Sequence, residues 1–458
     1  MSAYTLYEHQ QLVLDKALQG SHCIFLQMGL GKTLVGIKLA EYFKAHPIMS
    51  GKTLVVCPLP LIENAWMEDL KKFAPQLKAG VLWGRTPKQR KKAMAEAGNA
   101  DLCIVNYESF RKVAKWALAQ NFDVLILDES TKIKSPQAAI SKAMLKFAPR
   151  IPRVYPLSGC PAPNSHMEYY NQVQVVSPNL LGGNFFQFRA KYFLPYGQNA
   201  ADQVFDWRLI PGMLEPLMGE IKKCATFIRK EDAIELPPKT FIVRKTPLEP
   251  ALREAYDEMV QHKILPLVGD RVAISSNALA ELMKLRQITS GWVYAEDQGT
   301  YTFTDSKLSL LDGILEEIGD NRVVIWAQFR HDVARITDHL GDQAARAVGG
   351  MNKQDLQDNI AAFRSGQKPY LIAHPRTLGH GITLVEANYM VYYSLSYSLE
   401  EWSQTQERIH RLGQDKNCVY FVILAEDTID ETIYKALTKK EVMANAALQY
   451  LRAYAPSG

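Results

Sequence analysis

Cysteine is scarce and unpaired in this chain. Cys23, Cys57, Cys103, Cys160, Cys224 and Cys418 are widely scattered, and no two stand at C-x-x-C spacing. Neither a zinc site nor a disulfide framework can be read from such a pattern. Four of the six sit inside apolar runs, where a reduced cysteine behaves as a small core residue, so a reducing cytoplasm is the expected compartment. Long hydrophobic runs are lacking too. Nowhere do 18 apolar residues follow one another, which leaves no candidate membrane span and no expected membrane partner. The start, MSAYTLYEHQ, carries neither the basic residues nor the apolar run of a signal peptide. An excess of one charge is also missing, since 53 Lys+Arg against 48 Asp+Glu leave +5 over 458 residues. That balance permits a nucleic-acid partner but requires any basic footprint to be local. No short-period repeat and no low-complexity segment interrupts the chain.

What is present is the composition of a folded protein of two or three domains, 47% hydrophobic and 22% charged. Short apolar runs alternate with amphipathic stretches: CIFLQ (23–27), TLVVCP (53–58), LCIVNY (102–107), VLILDE (124–129) and VYPLSG (154–159). Each ends in a polar or turn residue, as a strand buried on both faces should. The fold class is therefore α/β, with parallel sheets covered by helices. The pattern returns in RVVIWAQ (322–328), PYLIAH (369–374), YMVYYS (389–394) and VYFVIL (419–424). Between the two series, 176–305 reads as mostly helical and rich in aromatics. The proline-bearing stretch 236–250 is the candidate junction, and a helical tail without a motif follows Glu441.

The strongest local pattern is QMGLGKT (27–33), placed between a strand and a helix. A triphosphate needs many donors and a fixed positive charge. Gly29 and Gly31 let the backbone curl so that the N–H groups of 28–31 (Met28, Gly29, Leu30, Gly31) face phosphates, and the next helix adds its positive end. Lys32 then reaches the β- and γ-phosphates, and the Thr33 hydroxyl ligates Mg2+ beside bound ATP. Leu26 stands where the strict pattern has its first glycine, so a plain glycine-rich turn is the rival reading. In FDVLILDESTKI (122–133) a buried strand ends in Asp128-Glu129, where open α/β sheets bind ligands. Asp128 holds magnesium through water and Glu129 orients the attacking water, unless the pair is a mere helix cap. Read as a helix, QTQERIHRLGQ (404–414) places Gln404, Arg408 and Arg411 on one face. That suits an arginine finger or, alternatively, a solvated face; His410 points elsewhere and reads as a structural partner.

The order and spacing of these elements resemble the superfamily-two helicases, and within them the Swi/Snf-type DNA translocases, over nearly the whole chain. YEHQQ (7–11) is similar to the adenine-reading segment, which falls on Gln10. The stretch 53–75 and VNYES (105–109) are similar to segments that touch one DNA strand, which implies Pro58, Asn64, Trp66, Asn106 and Tyr107 as contacts. LSGCPAPN (157–164) resembles the coupling motif and FIRKEDAIELPPKT (227–240) the link between lobes. VVIWAQF (323–329), GHGITLVEAN (379–388) and RIHRLGQ (408–414) resemble the second-lobe motifs. They imply Gln328 and Thr383 at DNA and Gly381 with Gln404 at the nucleotide. The ending R-x-H-R-x-G-Q is the most diagnostic, because DEAD-box RNA helicases end this motif differently. Departures stand at Gln27 (usually an acid), Thr131 (His), Cys160 (Thr), Thr383 (Asn) and Tyr397 (Trp).

The resemblance implies two RecA-like parallel-sheet lobes in tandem with helical insertions. The first spans 1–238 with an insertion at about 176–235. The second spans 239–440 with one at about 249–305, and a tail covers 441–458. It implies an ATP-dependent translocase on double-stranded DNA; the compactness of the chain points to a bacterial or viral host cytoplasm, and a monomer is the expected state. A strand-separating or branch-migrating helicase is the alternative, and a nucleotide-gated binding switch the alternative of another class. The basic run in 84–93 admits phosphate contact, though a solvated helix start accounts for it equally well, and the aromatic cluster 185–193 admits base stacking but reads first as core. Nearly every residue is assigned to the motor, with no appended reader or nuclease module.

Overall fold

In a computed structural model the chain is described over residues 5–46, 49–84, 86–198, 204–261, 266–267, 271–272, 276–294, 300–378 and 382–450. It divides into two compact units, Met1–Glu235 with Val442–Gly458, and Leu236–Glu441.

The first unit is built on a seven-stranded sheet in the order β3-β4-β2-β5-β6-β1-β9. Its strands are β1 (Cys23–Leu26), β2 (Thr53–Cys57), β3 (Ala79–Val81), β4 (Leu102–Asn106), β5 (Val124–Asp128), β6 (Arg153–Leu157) and β9 (Ala225–Ile228). Every recorded pairing among them is parallel. Alternate residues of a strand point to opposite faces, and here both faces are covered. Val55, Cys57 and Ile126 enter one core with the helix Lys32–Ala45, while Leu54, Val56, Leu125 and Leu127 enter another with the helix Tyr107–Leu118. Hence the unbroken apolar runs.

The stretch expected to be mostly helical is not. After the helix Phe185–Tyr192 comes an antiparallel ribbon, β7 (Phe193–Gln198) and β8 (Val204–Leu209), and β9 then closes the sheet beside β1. Phe188, Tyr192 and Phe193 of the aromatic cluster are buried with Phe25 and Phe227, so most of it is core. The basic run is a helix start: Thr86 caps Pro87–Ala97 and accepts from the Gln89 N–H. Arg85 lies outside the described residues.

The second unit carries a six-stranded sheet in the order β10-β19-β18-β15-β17-β16. These are β10 (Lys239–Thr246), β15 (Val323–Trp326), β16 (Ala344–Ala347), β17 (Tyr370–Ala373), β18 (Tyr389–Tyr392) and β19 (Cys418–Ala425), again parallel throughout. Two small antiparallel ribbons precede β15: β11 (Pro266–Leu267) with β12 (Arg271–Val272), and β13 (Trp292–Tyr294) with β14 (Thr300–Thr302). The stretch chosen as a linker is mainly β10, an edge strand paired with β19 along all eight of its residues. The expected tail does not begin a new element, since one helix runs unbroken from Ile429 to Tyr450. Among the described residues no helix is long and apolar enough to cross a membrane.

Two buried carboxylates tie this unit together. Asp430 meets the Lys307 ammonium at 2.6 Å and also accepts from the Thr289 hydroxyl and the Ala425 N–H. Asp332, 0% exposed, accepts from the Trp292 indole at 2.6 Å and the Ser394 hydroxyl at 2.9 Å. Burial pushes the Asp332 carboxyl up to about 6, although both bonds pull the other way. A carboxyl raised in the folded state favours folding more as it protonates, so stability rises as the pH falls through about 6 towards the unfolded value near 4. Between pH 7.5 and 5, this group is expected to add about 1 kcal/mol to unfolding of the second unit. The check is the difference between wild type and Asp332→Asn in urea unfolding across that range. Equal pH dependence in the two proteins would refute the assignment.

Candidate nucleotide site

Three loops gather at the carboxyl ends of adjacent strands: 27–31 after β1, 129 onward after β5, and 158–164 after β6. The first is bent by glycine. Gly29 and Gly31 have φ of 84° and 78°, left-handed values that cost a side-chain-bearing residue energy. Gly31 is the N-cap of the helix Lys32–Ala45, so the helix amides open onto the loop. The Lys32 ammonium folds back onto the Leu26 carbonyl at 3.2 Å. Gly159 of the third loop keeps this region open, because a Cβ there would stand 2.8 Å from Met28 Cγ and 3.2 Å from Lys32 Nζ. Thr33 is half-buried at the first turn of the helix.

Asp128 ends β5 and is 3% exposed. Burial holds its carboxyl above the usual carboxylate range, opposed by the Lys32 charge, the Trp66 indole and the Glu129 N–H. Those donors are concrete: Trp66 Nε1 lies 2.9 Å from Oδ2, and the Glu129 N–H lies 3.0 Å from Oδ1. The Tyr107 hydroxyl donates to the Asp128 carbonyl at 2.9 Å. Glu129 has φ of 51°, a left-handed conformation uncommon for a residue with a side chain and frequent at functional turns. The donor set suits a nucleotide with its divalent cation: one lysine, glycine-turned amides, a threonine hydroxyl and a carboxylate at a strand end.

Gln10 is 3% exposed and sits behind the loop. Its amide donates to the Leu30 carbonyl at 3.1 Å and accepts from the Tyr7 N–H, and the His9 ring meets the same Leu30 carbonyl. In this conformation Gln10 braces the loop, and reading adenine would require exchanging those bonds.

Four of the expected DNA contacts are buried in this structure. Trp66 is 0% exposed and bound to Asp128; its ring fills the space left by Gly36, where a Cβ would come within 2.8 Å. Tyr107 at 3% and Asn106 at 4% are likewise inside, as is Pro58. A side chain without surface cannot meet a phosphate. Asn64 is exposed, and Gln328 and Thr383 are half-exposed.

In the second unit the helix containing Gln404 is Leu399–Gln406, so Arg408 and Arg411 do not extend its face. The Arg408 side chain turns back to end it, donating to the Gln404 carbonyl at 3.0 Å and to the Ile382 carbonyl at 3.1 Å. Arg408 is 6% exposed, whereas Arg411 is half-buried. Gln404 is 5% exposed and donates to Glu400. The His410 ring binds the Pro237 carbonyl at 2.8 Å, the bond of a structural partner. Gly381 lies outside the described residues.

Sequence reasoning missed Gln172. This 0% exposed residue accepts from the Ser130 hydroxyl at 2.6 Å and donates to the Pro161 carbonyl at 2.6 Å, joining the second loop to the third. No local pattern around residue 172 signals that role.

Tandem parallel sheets with this loop architecture make a helicase-like ATPase. Residues 11–291 match the family model of the SNF2-related domain and residues 306–413 that of the helicase conserved C-terminal domain; the chain belongs to the SNF2-related family. It is 25% identical over 482 residues to "Putative protein p41" of Acyrthosiphon pisum secondary endosymbiont phage 1, covering 99% of this chain and 100% of that one. It is 25% identical over 444 residues to "ISWI chromatin-remodeling complex ATPase CHR17" of Arabidopsis thaliana, covering 92% of this chain but only 40% of that protein. Among solved structures, "Sulfolobus solfataricus SWI2/SNF2 ATPase core in complex with dsDNA" aligns with a TM-score of 0.45 and 22% identity, covering 99% of this chain and 98% of that one.

Trp66→Phe deletes the N–H that Asp128 accepts together with the outer ring packed against Gly36. It should cost about 1–3 kcal/mol in urea unfolding for the stranded acceptor, beyond what the lost ring costs by itself. In a double-mutant cycle with Asp128→Ala the coupling between the two positions should be about that 1–3 kcal/mol. Strictly additive losses would mean that the bond contributes nothing.

Proposed function

We propose that the chain is an ATP-dependent translocase that tracks along double-stranded DNA. The observation that carries the ATPase part is the meeting of Lys32 and the glycine-turned loop with a buried Asp128-Glu129 pair on neighbouring strand ends. In this reading the amides of 28–31 (Met28, Gly29, Leu30, Gly31) and Lys32 bind the phosphates. Thr33 and Asp128 hold magnesium, which when bound neutralises charge on the transferring phosphoryl group. Glu129 orients the attacking water. Arg411 and Arg408 are the groups assigned to the phosphoryl charge, with Gln404, whose carbonyl accepts from Arg408, beside Arg408. The duplex as track is supported by the resemblance to Swi/Snf-type translocases and by a plant relative named for chromatin remodelling. The phage relative supports a bacterial or viral host cytoplasm. A strand-separating helicase is the second reading, favoured by the exposed ring of Phe186, 64% accessible beside an antiparallel ribbon.

ATP turnover by the full chain, measured with duplex DNA, single-stranded DNA and RNA, tests the proposal. Duplex DNA should stimulate most. Glu129→Gln should keep ATP binding and abolish turnover, whereas Lys32→Ala should weaken binding itself. Turnover indifferent to every nucleic acid would remove the motor reading in favour of a nucleotide-gated switch. Arg411→Ala should lower kcat by about 10³-fold with ATP affinity little changed, as befits a group acting in the transition state. A parallel loss of affinity would reassign Arg411 to ground-state binding.

A further inference from the structure

The short helix Tyr169–Gln174 follows the loop 158–164 and is fastened to two segments at once. On one side it holds the stretch after the Asp128-Glu129 pair. Gln172 Oε1 accepts from the Ser130 hydroxyl at 2.6 Å, and the Asn171 amide donates to the Ile133 carbonyl at 2.8 Å. Just before the helix, Glu168 pairs with the Lys134 ammonium at 3.1 Å. On the other side it holds the loop 158–164. Gln172 Nε2 donates to the Pro161 carbonyl at 2.6 Å, and Glu168 accepts from the backbone and side-chain amides of Asn164. Two side chains thus serve both segments. Glu168 does so near the surface, where water can replace its bonds. Gln172 and Ser130 are each 0% exposed, so nothing replaces theirs.

The chemistry fixes which way the Gln172 amide faces. A carbonyl only accepts, so the nitrogen must meet Pro161 and the oxygen the Ser130 hydroxyl. Ser130 follows Glu129 directly, and Glu129 caps the tight turn Ser130–Ile133. A group that orients an attacking water loses about 10²-fold in rate when it is misplaced by about 1 Å. We propose that Gln172 is a positioning residue for ATP hydrolysis. It holds Glu129 in step with the loop 158–164, so that movement of the loop resets the carboxylate that orients the water. The proposal rests on the assignment of the attacking water to Glu129.

Steady-state ATP turnover by full-chain variants tests it, with kcat and KM measured beside wild type at each pH and saturating duplex DNA present. Gln172→Leu can neither donate nor accept. Its kcat should fall roughly tenfold, the rate equivalent of one buried hydrogen bond, with KM for ATP within about twofold of wild type. Ser130→Ala should show the same split, and the double variant should lose no more than either alone. Gln172→Glu still accepts from Ser130 but, when ionised, turns an oxygen towards the Pro161 carbonyl. Burial raises the new carboxyl above its ordinary value of about 4.3. As the pH falls from about 8 to about 6 its protonated form donates to Pro161 again, so kcat relative to wild type should recover. The other ionisable groups around it are Glu129, the paired Glu168 and Lys134, and the Cys23 thiol, which donates to the Gln172 carbonyl at 3.4 Å. Wild type carries all of them, so the ratio removes their titration. Wild-type kcat in Ser130→Ala and Gln172→Leu overturns the proposal, as does a loss in Gln172→Glu that pH leaves unrelieved, or a rise in KM that matches the fall in kcat. Should Gln172→Leu fail to fold, Ser130→Ala and Gln172→Glu decide by the same criteria. Glu129→Gln separates the two levels. If it is inactive while the bridge variants turn over normally, only the bridge falls; if it turns over at the wild-type rate, the role of Glu129 falls and the bridge with it.

Discussion

Burial of the Asp128 carboxylate is the constraint around which the first unit is organised. A carboxylate 3% exposed at a strand end is costly unless donors surround it. The sequence supplies them from three places: Trp66 from the turn after β2, the N–H of Glu129 itself, and the charge of Lys32 from the loop after β1. Meeting that need fixes much else. Trp66 must lie beneath the helix Lys32–Ala45, which requires a glycine at residue 36. The Glu129 N–H faces the Asp128 carboxylate, and the chain turns away directly after it, with Glu129 at φ 51°. A left-handed residue that carries a side chain costs about 1–2 kcal/mol, and here it stands directly beside the buried acid.

The same constraint explains why residues that resemble DNA-contact positions lie inside. Trp66 and Tyr107 both serve Asp128, one at its carboxylate and the other at its carbonyl. Their segments still carry exposed positions, with Leu59 43% accessible and Asn64 exposed. A segment can therefore keep exposed positions while the side chain singled out by resemblance is buried, because resemblance carries spacing and says little about which face of a turn is covered.

Legibility followed locality. Strands β2, β4 and β5 were readable because both faces of each are buried and their runs are continuous. Strand β10 was not, since it lies at an edge and its three apolar residues, Phe241–Val243, are flanked by Lys239, Thr240, Arg244 and Lys245. Strands β3 and β16 escaped notice as Ala-Gly-Val and Ala-Ala-Arg-Ala, too small and short to stand out. The phosphate loop was legible because its chemistry is compressed into seven residues, whereas the Trp66–Asp128 bond joins residues 62 apart. The helical reading of Arg408 and Arg411 failed for a physical reason that spacing cannot show. The Arg408 side chain takes the Gln404 carbonyl that a continuing helix would give to a backbone N–H, and the Arg408 N–H bonds the Thr405 carbonyl instead.

The departures from the family pattern gain meaning from the buried bridge at Gln172. Where the resemblance has histidine, Thr131 is 4% exposed, and its hydroxyl finds no hydrogen-bond partner among the described residues. Contact between the Asp-Glu loop and the coupling loop runs instead through the preceding residue, from the Ser130 hydroxyl to Gln172 and from the Gln172 amide to the carbonyls of Pro161 and Glu168. The bonds to Ser130 and Pro161 lie out of water, where breaking one strands a polar group at a cost of about 1–3 kcal/mol. A single amide used at both ends cannot follow two loops that move apart. Displacement of 158–164 relative to β5 must therefore either carry Ser130, and Glu129 beside it, or break the bridge. That makes Gln172 a hydrogen-bonded bridge between the loop after β5 and the loop 158–164, a contact to which the Thr131 side chain adds no hydrogen bond among the described residues.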